Sequence, residues 1–495
     1  MKIKIIIFLL IISRIAYAEI RAYNYPAEVK ASSAYKLKVN GTPVLVMDVP
    51  IPAAFASFEL TEGSATIEIE CNQDVKGVDI RPLNAGVKPQ IIEGNKISFT
   101  ISSPGFFSVE INGKLNNPLF IFADPKEVKP MKNDPNVIYF EAGKIHRPGI
   151  IRPKSNQQVY IEGGAIVTGA IFAGGVENVK IAGHGLFDGS LNYARSRVRA
   201  MFPGENNYAV TDSLQRFIEF IDSKNITIEG LMLINGTTWQ IAPINCENVT
   251  IKGVKIVSDN SRDDGIDIVV SRKVRISDCF IRVKDDCVAI KGWHESIPDY
   301  PASVIVDDVW IEKCVFWNAA WGNGLEIGFE LQCDEIKNIT FRDCDIIHVE
   351  SGAVFSIHNA DQATVKNILY ENIRVEDARQ KLIDLAVFRS TYSIDGSQDN
   401  EYNRLNYLHG AWDGVLMVSP DKKDYHSQFR GKIEDIRFNN IYVQGALPFS
   451  ILVGYDDNHQ VKNVTFSNIY INKQKINSLD NMKLFRENTE NIKIE

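Results

Sequence analysis

Cysteine, positive charge and long apolar runs are all scarce in this chain, and each shortage excludes something. Seven cysteines among 495 residues are few, and an odd number leaves at least one free or paired between chains. The 62 acidic residues outnumber the 54 lysines and arginines, for a formal net charge of −8. Nucleic acid is therefore not favoured as a partner. A strongly anionic polymer is repelled on average, unless a local basic cleft overrides the average. No glycine-rich nucleotide loop, zinc-ligand spacing or serine nucleophile elbow stands out. Beyond the N-terminus no segment is apolar enough to span a membrane.

The N-terminus has the three parts of a leader. Lys2 and Lys4 flank the start of an apolar run from Ile5 to Ile12, and Ala16-Tyr17-Ala18 precedes Glu19. Basic, apolar and small-residue regions in that order read as a secretory signal peptide over residues 1–18. The apolar run is too short for a membrane anchor, and no cysteine follows the cleavage step to carry a lipid. The mature protein is expected to be secreted or periplasmic.

Residues 19–124 alternate apolar and polar side chains in short runs, such as Tyr35–Val39, Ala65–Ile69 and Lys96–Ile101, separated by turns such as Asn40-Gly41 and Asn112-Gly113. This spacing predicts an antiparallel β-sandwich. Residues 125–132, rich in Pro and Lys, read as a linker. The sandwich carries no motif for a task of its own; packing against the end of the following domain and shielding its strand edges is the expected role.

From residue 133 to 495 one unit recurs: an anchor residue, a short alternating strand, a polar step and a second strand. The anchors are Asn178, Asn225, Asn248, Lys273, Asp308, Asn338, Asn367, Asp435 and Asn463. Most lie roughly 23 to 35 residues apart, a period that marks a solenoid. From Asn225 onward the sixth residue after each anchor, from Leu231 and Val254 through Cys279, Cys314 and Cys344 to Ile373, Ile441 and Ile469, is apolar or cysteine. These positions are expected to stack as an internal ladder, with the cysteines as buried free thiols rather than disulfides. Strand-rich units without long amphipathic helices predict an all-β, right-handed parallel β-helix.

Within the ladder, Asp264-Gly265 and Asp285-Asp286-Cys287 lie about one coil apart. Strands on adjacent coils stack about 4.8 Å apart, so this offset brings three carboxylates onto one wall. Clustered carboxylates raise one another's pKa, which acid catalysis near neutral pH requires. Strand alternation would send Asp285 and Asp286 to opposite faces, so both act at one site only if a bend or bulge holds them. The competing reading is that these residues cap turns or bind a cation.

Asn235-Gly-Thr-Thr-Trp239, Asp263-Asp264-Gly265-Ile-Asp267 and Asp285-Asp286-Cys287-Val-Ala-Ile-Lys291-Gly292, preceded by Gly183-His-Gly-Leu-Phe-Asp188-Gly189, together resemble glycoside hydrolase family 28, the polygalacturonase family. The N-terminal part resembles the sandwich that precedes a similar β-helix in family 49, the dextranase and isopullulanase family. The resemblance implies an inverting glycosidase. Asp285 would be the general acid, and Asp264 and Asp286 would hold and deprotonate the attacking water, with acid and base roughly 6.5–9.5 Å apart. It implies no cofactor and no metal, and a polysaccharide or oligosaccharide as partner.

The chain departs from that family where the family grips a uronate. Asn323 stands where its Gly-His-Gly histidine is expected, and Ser356-Ile357-His358 where its Arg-x-Lys is expected. Losing both removes the charge-assisted contacts that recognise a carboxylate, so unmodified polygalacturonate is not the expected substrate. Asn323, Glu326, His358 and Lys291 are candidates for sugar-hydroxyl contacts, against ordinary polar packing or, for Lys291, solvent. Trp293, Trp317 and Trp321 are candidates for stacking on sugar rings, against loop packing, while Trp239 is expected to pack a coil corner. His184 is expected to be structural. The segment from Tyr392 to Lys423 is expected to wall one end of the cleft. Three other functions remain open: a family 49-like α-glucan hydrolase, a β-helical polysaccharide lyase and a non-catalytic glycan-binding solenoid.

Overall fold

The computed structural model describes residues 19–495 apart from 50, 62, 190–215, 237, 261, 294–303, 391 and 396–422. The leader and most of the expected cleft wall lie outside the described residues, as do His294 and Pro298.

Two sheets form the N-terminal sandwich. One orders Ile20–Ala22, Ala53–Leu60, Leu119–Asp124, Gly105–Ile111 and Val78–Arg81, with Val46–Val49 added beside Ala53–Leu60. The other orders Thr42–Val44, Tyr35–Val39, Ala65–Cys71, Lys96–Ile101 and Gln90–Glu93. Strand Tyr35–Val39 alternates strictly between buried and exposed, as a sheet with one solvated face requires. The pairing is antiparallel except that Leu119–Asp124 runs parallel to Ala53–Leu60, a departure from the all-antiparallel expectation. Ala53–Leu60 is buried along its whole length, because its second face is covered too.

Strands from Val137–Phe140 to Thr489–Ile494 wind into the parallel β-helix. Register is kept coil to coil: Val249 pairs with Val274, Val274 with Val309, Val309 with Ile339 and Ile339 with Ile368. Every anchor residue sits in the left-handed backbone region, with φ between 53° and 60°. Asparagine and aspartate tolerate that region best among non-glycine residues, which explains their recurrence. Several also bond from coil to coil: the Asn225 amide donates to Asn178 at 2.9 Å and Asn248 to Asn225 at 2.7 Å. The predicted ladder is internal, and Cys279, Cys314 and Cys344 are buried free thiols within it.

The sandwich does not cap the end of the helix. It lies along the flank, because its second apolar face matches one there. Phe55, Phe120 and Phe122 pack with Leu186, Met232, Val257, Phe280 and Trp317, and Phe120 and Phe122 stand 5.2 and 5.3 Å from the Phe280 ring. Buried charge pairs fix the contact: Lys255 Nζ with Asp124 at 2.6 Å, Arg81 with Glu376 at 2.5 Å, and His348 Nε2 with Glu110 at 2.9 Å. Trp317 is thus 1% exposed and donates to Glu350 at 2.9 Å. It is an interface residue, not a platform for sugar.

Candidate active site

One turn of the β-helix carries the candidate residues, coil after coil. Asp264 precedes strand Ile266–Val269, and Asp286 precedes Val288–Lys291 on the next coil. Asn323 precedes Leu325–Phe329 on the coil after that. Backbone bonds hold the turns in register: Gln240 N–H donates to Asp264 O, Gly265 N–H to Asp286 O, Cys287 N–H to Asn323 O, and Gly324 N–H to Ala353 O. Asp285 and Asp286 fall in the bend between two strands, which is the break in alternation that a shared site demands. Two glycines permit this approach. A Cβ on Gly265 would lie 2.4 Å from Cys287 O, and one on Gly322, whose φ is +63°, would lie 2.6 Å from Asp285 Oδ1.

Oxygens of Asp264, Asp285 and Asp286 come within 4.8 Å of one another. This contact is closer than the 6.5–9.5 Å acid–base separation that the resemblance implied. The same three carboxylates are the group among the described residues that could hold a metal ion. Asp264 is 4% exposed and Asp286 6%; Asp285 is half-buried.

Burial, then the charges of Asp267 and Asp285, hold Asp264 well above the ordinary carboxylate range. Burial, then Glu326 and Asp285, do the same to Asp286. Burial also raises Asp285, with Lys291 and backbone N–H groups working against the rise. The three titrate as a unit and keep protons that isolated carboxylates would lose. Two neighbours are also raised, chiefly by burial: Asp263 to about 8 and Asp267 to about 7. Asp263 braces the turn by accepting from the N–H groups of Lys284 and Asp285, each at 3.1 Å, and of Asn260 at 2.9 Å.

Lys291 is the cation of this wall. Its Nζ lies 3.0 Å from Glu330, 3.9 Å from Asp267 and 4.0 Å from Asp264. Burial pulls its pKa down, but Glu330, Asp264 and Asp267 outweigh burial and keep it charged. Trp239, expected only to pack a corner, also borders the wall: Lys291 stands 5.1 Å and Arg216 4.4 Å from its ring.

Three of the expected sugar contacts are differently employed. Asn323 is 3% exposed and clamps Asp286, donating to Oδ1 from its N–H at 2.6 Å and its side chain at 3.1 Å. Its own Oδ1 accepts from Ala353 N–H at 2.9 Å. Glu326 and His358 are both 0% exposed. His358 bridges Glu326 at 3.0 Å and Asp384 at 3.2 Å, and Lys381 pairs with Asp384. Those acids outweigh burial and raise the His358 imidazole to about 10. The residues form a covered ion network behind the site, because their outward-facing strand positions are not open to solvent. Trp293 is half-buried. Trp321 is 47% exposed, with Lys284 Nζ 5.5 Å from its ring; its N–H donates to Lys284 O at 2.8 Å, beside Asp285.

Residues 153–387, which include all of these turns, match the family model of glycosyl hydrolases family 28. The chain resembles that family. It is 22% identical over 254 residues to a polygalacturonase from Juniperus ashei, covering 50% of this chain and 41% of the relative. It is 24% identical over 244 residues to endopolygalacturonase D from Aspergillus niger, covering 46% of this chain and 45% of the relative. The family 28-like chain thus aligns with less than half the length of these two relatives. Among solved structures, Dex49A from Penicillium minioluteum superposes with a TM-score of 0.59 at 15% identity, covering 96% of both chains. That likeness bears on the fold, sandwich and β-helix together.

Proposed function

We propose that the chain is an exported glycoside hydrolase that cleaves a polysaccharide with inversion, using Asp285 as acid and the Asp264–Asp286 pair to hold and deprotonate water. The observation that carries the hydrolase reading is the meeting of three carboxylates within 4.8 Å at equivalent turns of adjacent coils; inversion is taken from the resemblance to family 28 and not from this spacing. Asp285, the most exposed of the three, is placed to reach a glycosidic oxygen. Asp286 receives two hydrogen bonds from Asn323, which fix its orientation and oppose the rise that burial, Glu326 and Asp285 impose on it. Export is supported by the basic, apolar and Ala-Tyr-Ala segments before Glu19.

The substrate in this reading carries no carboxylate at the cleavage site. Lys291 is already ion-paired to Glu330, and His358 is spent on Glu326 and Asp384. A uronate would meet an acidic wall whose buried cations are already paired, with Arg262 beside Asp285 as the exposed counter-charge. A second reading, an α-glucan hydrolase of the dextran type, differs only in substrate; the joint fold likeness of sandwich and β-helix supports including it. The test is a panel of dextran, other neutral glucans, galactans and polygalacturonate, assayed for new reducing ends with wild type and Asp285→Asn. Cleavage of a neutral glycan that the variant loses is the expected result. Cleavage of polygalacturonate alone overturns the substrate class, an unsaturated product points to a lyase, and no activity on any glycan points to a binding protein.

A further inference from the structure

Asp285 lies in a bend outside the strand ladder, yet side chains from the two neighbouring coils hold both of its peptide groups. On the preceding coil Asp263 accepts its N–H at 3.1 Å. On the following coil Asn318, the last residue of strand Val315–Asn318, donates from Nδ2 to its carbonyl at 2.7 Å. The same Nδ2 donates to Trp321 O, and Trp321 N–H donates to Lys284 O at 2.8 Å. Asn318 therefore ties the bend of Asp285 to the turn of the next coil. Its amide cannot be reversed, because both partners are carbonyl oxygens, which only accept. Asn318 is fully buried, and its Oδ1 has no hydrogen-bond partner. A buried acceptor left unpaired costs stability, a cost that calls for an explanation outside folding.

The strand that ends at Asn318 is itself held by the sandwich. Trp317, one residue earlier, meets the Phe120 ring edge to face, with centroids 5.9 Å apart. Its ring also lies 4.4 Å from that of His348, and His348 is paired with Glu110 of the sandwich. Trp317 Nε1 donates to Glu350, whose own N–H donates to Asn318 O at 3.1 Å. Two sandwich strands, Gly105–Ile111 through Glu110 and Leu119–Asp124 through Phe120, thus press on this one strand of the β-helix. An unbroken line of contacts runs from Phe120 through Trp317 and Asn318 to the peptide of Asp285.

We propose that Asn318 is a positioning residue for Asp285, and that the sandwich is a buttress which holds Asn318 through Trp317 and so keeps the acid aimed. The proposal rests on the reading of Asp285 as the acid. A general acid has to stand within hydrogen-bond reach of the oxygen it protonates, and a misplacement of about 1 Å costs on the order of 10²-fold in rate. A bend has no ladder to supply that precision, so packed neighbours have to supply it. The sandwich then has a task beyond covering apolar strands, although it adds no residue to the three-carboxylate cluster.

The test pairs amide hydrogen exchange, read by mass spectrometry on peptides covering 284–287, with steady-state release of reducing ends from dextran and galactan. The full chain is compared with Asn318→Ala, Phe120→Ala, Asp285→Asn and the combination of Asp285→Asn with Asn318→Ala. Asn318→Ala is expected to speed exchange in 284–287 about tenfold while strand Glu247–Lys252 keeps its rate. It should lower kcat about ten- to a hundredfold with KM held within about twofold. Phe120→Ala should reproduce both changes in weaker form. On the Asp285→Asn background Asn318→Ala should cost no further rate, since the acid it positions is already gone. Phe120→Leu, which keeps an apolar filler, takes the place of Phe120→Ala if melting curves show that variant unfolded. Exchange decides alone where neither glycan is cleaved. Exchange in 284–287 unchanged by Asn318→Ala, a further rate loss on the Asp285→Asn background, or a folded Phe120 variant silent in both readouts each overturns the proposal. Full activity in Asp285→Asn would sink the acid reading instead, while faster exchange in both other variants would still show that Asn318 and Phe120 hold this bend.

Discussion

Along one edge of the β-helix successive coils repeat the same residue: Asn178, Asn225 and Asn248, then Asn338 and Asn367, each in the left-handed region and several joined amide to amide. Along the edge proposed to be catalytic the equivalent turns carry Gln240, Asp264, Asp286 and Asn323. Repetition on the first edge solves one problem many times, that of turning a corner in backbone that only asparagine, aspartate or glycine enters cheaply. Variation on the second places unlike groups side by side at the spacing of a β-sheet. Like charges a few ångströms apart are a cost to folding, and the asparagine edge shows that the fold can be built without it. The difference separates what the chain needs to fold from what it needs to act.

The strongest test of that division is Asp285→Asn. It should lower kcat by about 10² to 10⁴, the usual contribution of a general acid, while leaving the thermal midpoint unchanged or raised; a variant that unfolds instead would erase the distinction. Asn323→Ala comes next. Removing two donors from Asp286 should cost about ten- to a hundredfold in rate, with a shifted pH–rate profile, because Asn323 acts through Asp286; a change in KM alone would return it to sugar binding.

Asp267→Asn sharpens the comparison through pH. Burial raises Asp267 to about 7, so the native state keeps a proton that the unfolded chain releases near pH 4, and stability falls as pH rises from about 4 through 7. The substitution should therefore stabilise by on the order of 1 to 3 kcal/mol at pH 8 and by little at pH 4, measured by denaturant unfolding at both. A gain confined to acid pH would reverse the sign of the argument. The smallest effect belongs to the repeated edge: Asn248→Ala should cost about 1 to 2 kcal/mol through its left-handed backbone and leave kcat alone, as paired melting and activity measurements would show.

What was legible in the sequence follows the same division. The anchors could be read because left-handed turns select few residue types, and the aspartates because their spacing matches a coil. The flank docking was not legible: Phe280 and Trp317 look like any alternating strand residues, and nothing local says that Phe120 and Phe122 will cover them. Glu326 and His358 were readable as polar but not as buried, since strand alternation points them outward and only the tertiary structure covers them. Asn323 reads as a departure from the family pattern and a candidate sugar contact; its hold on Asp286 emerges only when two turns stack. Trp239 reads from the sequence as a corner residue because its cation neighbours, Arg216 and Lys291, come from distant positions.

The central claim is that three aspartates brought together by adjacent coils hydrolyse a glycosidic bond by direct attack of water. Proton NMR of the first product formed from the active glycan of the panel tests it most directly, with wild type and Asp285→Asn run in parallel. The account predicts a product of inverted anomeric configuration that the variant no longer forms; a retained anomer, or an unchanged rate in the variant, would contradict it.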